Sequence, residues 1–492
     1  MRFNPARHVP FSYAQSAGLL LTGLEDQEAQ VAVRPDARPE ALAELRRVLG
    51  VPLKARIISA EQFAALLSET YAQREGNDDL NLELGQDIDL SRLAQEMPKV
   101  EDLLDAQDDA PIIRIINAVL MRALKEGASD IHIEPFEARS VTRLRIDGML
   151  RDVFETNRAL HGAMVSRIKI MASLDIAEKR LPQDGRITLR LAGKPVDVRV
   201  STLPTGHGER VVLRLLDKEA GRLDLARLGM SPQALAQFRH LVEQPHGIIL
   251  VTGPTGSGKT TTLYAALSEV DTAVLNVMTV EDPIEYYLEG IGQTQVNARI
   301  DMTFAKALRA ILRQDPDVVM IGEIRDLETA QIAIQSSLTG HLVLATLHTN
   351  DAASSVTRLI DMGIEPFLAA SSLLGVVAQR LVRRLCPDCK RPATPDAAEL
   401  ELIAITPPPT QIYHPVGCPA CNQTGYRGRT GIYEMLLVDE GLRALIHANA
   451  SEQDIRNRAL AHGMQPLRQD GMRWVAAGET SLEEVLRVTR EG

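Results

Sequence analysis

Aromatic side chains are scarce in this chain, at 3% of 492 residues with a single tryptophan. Proteins that hold single-stranded nucleic acid by stacking bases need exposed aromatics, so the composition speaks against that class. Positive charge is not in surplus either. The formal net charge is -11, which leaves no general electrostatic footprint for a polyanion, and no nucleic-acid partner is expected. There is no run of 18 apolar residues, and the opening Met1-Arg2-Phe3-Asn4-Pro5 lacks the pattern of a secretory signal. The expectation is a cytoplasmic chain whose association with a membrane is indirect, through a partner or a surface patch. Cysteine is nearly absent, with four residues in all. What remains, 45% hydrophobic and 24% charged residues, is the make-up of a soluble globular protein with length for about three domains.

The stretch Gly253-Pro254-Thr255-Gly256-Ser257-Gly258-Lys259-Thr260-Thr261 organises the rest. Ahead of it, Gly247 to Val251 is a short apolar run bounded by Pro245 and Gly253, which predicts a buried strand. Behind it, Thr260 to Val270 predicts a helix. Gly253, Gly258, Lys259 and Thr260 satisfy G-x-x-x-x-G-K-[ST] in that strand-loop-helix setting. Glycines let backbone N–H groups turn inward around phosphates, and the helix N-terminus adds its positive dipole end. Lys259 supplies a point charge for the β- and γ-phosphates, and the Thr260 hydroxyl is placed to ligate Mg²⁺. The stretch predicts ATP binding across Gly253 to Thr261. A glycine-rich turn matching by chance is the competing reading.

Three later apolar runs end in polar residues, where ligands bind in open α/β sheets. Asn276 to Val280 leads into Glu281, Asp282 and Glu285; Asp317 to Ile321 leads into Glu323; His341 to Thr346 leads to His348. An acid after an apolar strand is what a phosphate-loop enzyme needs to hold Mg²⁺ or to orient the attacking water, and Glu323 fits. Taken singly, each acid also reads as a helix cap or a surface residue.

The strand-helix alternation predicts a parallel α/β sheet over residues 242–492, after a helical connector over 218–241. Residues 110–217 predict a mixed α+β domain. Pro111 opens a helix that stops at Gly127, and strands follow at Asp130–Glu134, Thr142–Ile146, Arg186–Leu191, Val196–Val200 and Arg210–Leu215. A lone histidine there, His132, reads as structural or solvated rather than as a ligand. Residues 74–109 are acidic and interrupted, as in a solvated linker. Residues 1–73 predict a small α+β unit with a helix at Ala41–Leu49, a strand at Lys54–Ser59 and a helix at Ala60–Ala72. It holds no catalytic cluster, and either an inert domain or a docking module suits it.

The four cysteines fall as Cys386-Pro387-Asp388-Cys389 and Cys418-Pro419-Ala420-Cys421. Two C-x-x-C pairs place four thiolates around Zn²⁺ with no ligand position left open, so the metal is expected to be structural. Disulfides are the alternative, disfavoured in a reducing compartment.

GPTGSGKTTTLY, TVEDPIEY, LRQDPDVVMIGEIRD and SLTGHLVLATLHTNDA resemble the Walker A, Asp box, Walker B and His box of secretion ATPases of the type II/type IV pilus superfamily. DIHIEP, RLRIDG and RLPQDGR resemble the domain that precedes their core. The likeness runs from about residue 110 to the C-terminus and is greatest to the cytoplasmic ATPase of type II secretion. It implies a RecA-like core, a preceding PAS-like domain, a homo-hexamer, and ATP hydrolysis that drives pseudopilus assembly and protein export. It further implies Glu323 as the water-activating residue, with Glu281, Asp282, Glu285, His341 and His348 lining the site. A tetracysteine motif belongs to the secretion and pilus-extension branches of the superfamily. Residues 1–73 would dock on an inner-membrane platform protein, which makes the chain peripheral at that membrane. On spacing alone Arg199 and Arg214 are ordinary strand arginines; the resemblance makes them cations presented to bound nucleotide. A pilus-extension ATPase, and a scaffold that binds ATP without hydrolysing it, remain as other readings.

Overall fold

Alternation of apolar and polar residues builds two sheets in the first of the two units into which the chain divides, Met1–Lys218 and Glu219–Gly492. The computed structural model describes residues 14, 17–25, 28–37, 39–60, 62–63, 66–67, 70, 110–191, 194–217, 224–297 and 300–489. The expected linker over 74–109 and most of the expected helix at Ala60–Ala72 lie outside them.

Near the N-terminus, β1 (Leu19–Glu25) pairs antiparallel with β2 (Glu28–Val33), and β2 pairs parallel with β3 (Leu53–Ile57) across the helix α1 (Pro39–Leu49). Leu19, Leu21, Val31, Val33, Leu45 and Phe63 form the core of this small α+β body. Sequence periodicity indicates α1 and β3 but neither β1 nor β2. In β1 a register shift between Leu21 and Gly23 breaks the alternation a strand is recognised by.

The next body opens with α2 (Ala110–Lys125), which ends just before Gly127 as expected. Six antiparallel strands follow: β4 (Asp130–Pro135), β5 (Arg139–Ile146), β6 (Met149–Asn157) and, after α3 (Arg158–Met171), β7 (Gln183–Leu191), β8 (Lys194–Thr205) and β9 (Gly208–Asp217). Their order in the sheet is β6-β5-β4-β9-β8-β7. Asp147-Gly148 is a two-residue hairpin turn with both residues at positive φ, 47° and 83°, joining Ile146 to Met149. Ile131, Ile133, Leu144, Val198, Val200, Val211 and Leu213 face a common core with residues of α2 and α3.

The second unit begins with a short 3₁₀ turn at Leu225–Arg227 and then α4 (Pro232–Val242), capped by Ser231. The continuous helical connector read from the sequence is broken at Gly229, whose φ is 96°. From there the chain alternates: β10 (Gly247–Thr252), α5 (Lys259–Leu267), β11 (Val277–Glu281), β12 (Gly292–Gln295), α6 (Phe304–Ile311), β13 (Val318–Ile321), α7 (Leu327–Leu338), β14 (Leu342–Leu347), α8 (Ala352–Asp361) and α9 (Pro366–Ser372). A long pair then closes the sheet, β15 (Leu373–Leu385) and β18 (Tyr426–Leu437). Between them lie β16 (Arg391–Ala393), α10 (Ala397–Ile403) and β17 (Ile412–His414). Four helices, α11 (Glu440–His447), α12 (Glu452–Ala461), α13 (Leu467–Ala476) and α14 (Leu482–Val488), finish the unit.

The seven strands are ordered β12-β11-β13-β14-β10-β15-β18, parallel except for the last pair. Every residue of β10, β13 and β14 is buried. At roughly 1.5–3 kcal/mol for each fully buried large aliphatic side chain, this central block anchors the glycine-rich loop that leaves β10. The expected α/β core of RecA-like type is thus the observed architecture, and α helices on both faces explain why its strands read as continuous apolar runs.

Candidate functional site

β10 ends at Thr252, and the chain turns back over itself to start α5 at Lys259. Gly258 caps that helix in the left-handed region at φ 90°, and Gly253 sits at φ 146°, where a Cβ would lie 2.4 Å from the Gln379 carbonyl oxygen. Any other residue at 253 would push the loop off the sheet. Pro254, Thr255, Gly256, Thr260 and Thr261 form the exposed crown, whereas Gly253 and Ser257 are buried beneath it. The Lys259 ammonium donates to the carbonyls of Gly253 (2.8 Å) and Pro254 (3.2 Å). Burial pushes its pKa below the usual lysine range, while the facing Glu323 carboxylate pulls the other way. Lys259 is therefore inside the loop and within electrostatic reach of Glu323. The exposed Thr260 hydroxyl is the group that would hold Mg²⁺.

Parallel pairing brings the ends of β11, β13 and β14 to the same edge of the sheet as this loop. Glu323, after β13, is mostly buried; one carboxylate oxygen is ion-paired with Arg325 and the other lies 3.4 Å from His348 Nε2. Arg325 also reaches Asp282 at 3.9 Å. The segment carrying His348 is tied to the base of the phosphate loop through Thr349, whose hydroxyl oxygen lies 2.7 Å from that of Thr252. Asp282, Glu323, Arg325 and His348 thus form one cluster.

Three expected site residues sit elsewhere. His341 precedes β14, its carbonyl accepting from Gly247 N–H at 3.1 Å, and its ring stands 2.9 Å from the Ser336 carbonyl. That is the opposite end of the sheet from the phosphate loop of its own chain, a strand length of roughly 20 Å at ~3.3 Å per residue. The expectation that both histidines line that loop is corrected: a parallel strand separates its two ends by its full length. Glu281 is likewise turned inward, only 2% exposed. It accepts hydrogen bonds from the Tyr264 hydroxyl, from Thr279 at 2.5 Å and from Gln293 at 3.0 Å, which occupy its carboxylate as an anchor between α5 and the sheet edge. The Glu285 amide donates to the same Tyr264 oxygen at 3.3 Å.

In the first unit, Arg199 and Arg214 are direct cross-strand partners on β8 and β9. Alternation sends Val198, Val200 and Leu213 into the core and turns these two arginines to the other face. Arg214 donates through Nε to Asp130 at 2.8 Å. Burial alone would raise the Asp130 pKa; hydrogen bonds from Ser129 and Arg214 outweigh it and hold the carboxyl below the usual range. His132 on the same strand is buried, 3.2 Å from Arg210, and burial and neighbouring arginines keep its pKa low, consistent with a structural residue.

β15 runs directly into Cys386 and Cys389, and Cys418 and Cys421 directly precede β18, so pairing of these two strands brings the cysteines together. The sulfur separations Cys386–Cys418, Cys389–Cys421 and Cys418–Cys421 are 3.9, 3.8 and 3.7 Å. Four sulfurs at the Zn–S distance of ~2.3 Å form a tetrahedron with edges of roughly 3.8 Å, whereas a disulfide needs about 2.05 Å. Burial opposes ionisation of Cys421, but N–H groups of Cys418 and Gly425, each 3.2 Å from its sulfur, hold the thiol at about 6. The four residues fit a zinc ion, and the group would act by crosslinking the lobe to the β15–β18 pair.

Residues 105–487 match the family model described as type II/IV secretion system protein. The chain belongs to the type II/IV secretion system protein family. Residues 8–71 match a second model, that of an N-terminal domain of GSPII protein E. Type II secretion system protein HxcR of Pseudomonas aeruginosa is 58% identical, covering 98% of this chain and 99% of its own length. Type II secretion system ATPase E of Vibrio cholerae is 56% identical over 99% of this chain and 97% of its own. Among solved structures, the pilus retraction motor PilT with bound ADP aligns with a TM-score of 0.53 and 27% identity, covering 76% of this chain and 97% of that one.

Within this family member, sequence reasoning passes over Arg325 and Asp130. Arg325 stands inside the quoted run GEIRD, and an acid two residues from an arginine at a strand end is the available signal. Asp130 offers none, because its partner Arg214 is 84 residues away in the chain. The cysteine cluster carries a prediction of its own. Purified protein is expected to contain about one zinc per chain, and Cys418→Ser to lose the metal and to expose the 386–421 lobe to protease. Metal analysis with thiol titration checks it; metal-free protein with all four thiols unreactive would support disulfides instead.

Proposed function

We propose that the protein is a hexameric cytoplasmic ATPase, peripheral at the inner membrane, that hydrolyses ATP to drive pseudopilus assembly and export by a type II secretion system. The observation that carries this is a glycine-rich loop holding the buried Lys259 at the same sheet edge as Glu323, whose carboxylate is gripped by Arg325 and His348. A phosphate loop alone would serve a scaffold. A carboxylate fixed from two sides next to it suits a base that orients water and accepts its proton.

In this reading the loop amides and Lys259 receive the β- and γ-phosphates, Thr260 holds Mg²⁺, and Glu323 aims the water. Asp282 and His348 complete the wall, with Arg325 linking Asp282 to Glu323. Arg199 and Arg214 supply the second positive charge to nucleotide once subunits assemble. No helix among the described residues is long and apolar enough to cross a membrane, which agrees with recruitment through residues 1–73 to an inner-membrane platform protein. The relatives named for type II secretion favour that machine over pilus extension.

The test is steady-state phosphate release by purified protein together with fractionation of cells. Protein lacking residues 1–73 is expected to release phosphate within about twofold of the full chain, as for a removable domain, and to leave the membrane fraction. Absence of release from an assembled hexamer would favour the scaffold, and membrane-bound truncated protein would remove the docking role.

A further inference from the structure

The phosphate loop carries three glycines at positive φ, at 253, 256 and 258, so its own backbone does little to hold its shape. A loop of that kind loses conformational freedom on binding an anion unless a neighbour has fixed it beforehand. Among the described residues, one side chain from outside the loop donates a hydrogen bond to it. Gln379 of β15 is only 2% exposed and donates through Nε2 to the carbonyl of Ser257 at 2.8 Å, 122 residues away in sequence. Its backbone carbonyl is the atom that a Cβ at Gly253 would strike, and a Cβ at Gly258 would lie 3.2 Å from its Nε2. The same residue therefore meets the loop at its start, near its end and at Ser257 between them.

Packing does not account for a glutamine here. Its Oε1 is buried with no hydrogen-bond partner among the described residues, a cost that an apolar side chain of equal size would avoid. Its mounting is firm: β15 lies between β10 and β18, with Gln379 opposite Tyr433. The next residue, Arg380, reaches the Asn350 side chain at 3.3 Å, and Glu434 on β18 accepts the Ala352 N–H at 2.9 Å, so the strand pair also holds the segment after His348.

We propose that Gln379 is a positioning residue of the nucleotide site, bracing the phosphate loop in its anion-binding shape through the Ser257 carbonyl. The inference rests on the nucleotide reading above. Its expected signature is in affinity rather than in the chemical step, because the brace acts before phosphate transfer. Gln379→Met removes the donor at nearly constant volume, and Gln379→Glu keeps the shape while setting a carboxylate against the Ser257 carbonyl. Val382→Ala, a buried residue of the same strand that serves as a control, removes core contact without touching the loop.

The experiment titrates the full-length proteins with Mg·ADP by calorimetry, and records turnover at saturating ATP and melting temperature without nucleotide. The dissociation constant is expected to rise about tenfold in Gln379→Met, equivalent to ~1.4 kcal/mol, and at least as much in Gln379→Glu. Saturated turnover should stay within about twofold, the pattern of lost uniform binding. Val382→Ala should melt earlier with unchanged affinity. Affinities within twofold of wild type in both Gln379 variants overturn the proposal, as does an equal loss in Val382→Ala, which would make the effect one of general stability. If the wild-type protein itself takes up no ADP, the nucleotide reading fails and the brace fails with it.

Discussion

Glu323→Gln is expected to bind ATP with little change and to release phosphate at least about a hundredfold more slowly. The substitution keeps the size and the acceptor oxygen of the side chain but removes its ability to take a proton from water. Arg325 and His348 hold the native carboxylate from both sides, so the amide should occupy the same place and the loop should keep its grip on the phosphates. The companion change, Lys259→Ala, removes charge where it collects on the transferred phosphoryl group, and most activity should go with it. Equilibrium binding of ATP and steady-state phosphate release on the same preparations separate the two. Near-normal turnover by either variant would sink the roles given to these residues.

The second large effect is expected at Arg199 and Arg214. Phosphoryl transfer needs positive charge against the γ-phosphate oxygens, and the loop supplies only Lys259. Arg199 and Arg214 stand directly opposite each other on neighbouring strands, on the face turned away from the core. Asp130 fixes the direction of one of them. Each Arg→Ala change should leave nucleotide binding by isolated subunits largely intact and lower turnover by about a hundredfold or more, as for an arginine finger. Mixing decides whether the charge crosses a subunit boundary. Lys259→Ala subunits with intact arginines should restore activity to Arg199→Ala or Arg214→Ala subunits. Failure to do so while mixed hexamers demonstrably form would refute action across subunits.

Local chemistry was legible where consecutive residues carry it. Gly253 to Thr261 spells the phosphate loop because the turn, the charge and the helix start must follow one another along the chain, and the structure builds that segment as strand, loop and α5. The two C-x-x-C pairs were legible for a similar reason. Each is a local turn, and only their meeting needed the fold. The N-terminal hairpin was not legible, since a register shift at Leu21–Gly23 hides the alternation of β1.

By itself, then, the sequence determined the α/β core, the loop, the acids after the two apolar runs ending at Val280 and Ile321, and the cysteine quartet, all of which depend on spacing along one segment. The tertiary structure alone decided which end of a strand a residue stands at, and what closes over it. It sent His348 to Glu323 and His341 a strand length away, because β14 carries one at each end. It buried Glu281 under Tyr264 while leaving Asp282 beside Arg325. It set Gln379 against Ser257 and Asp130 against Arg214 across 122 and 84 residues. Such contacts depend on strand order and register, which arise from the burial of the whole sheet at once and leave no mark in the spacing of any one stretch.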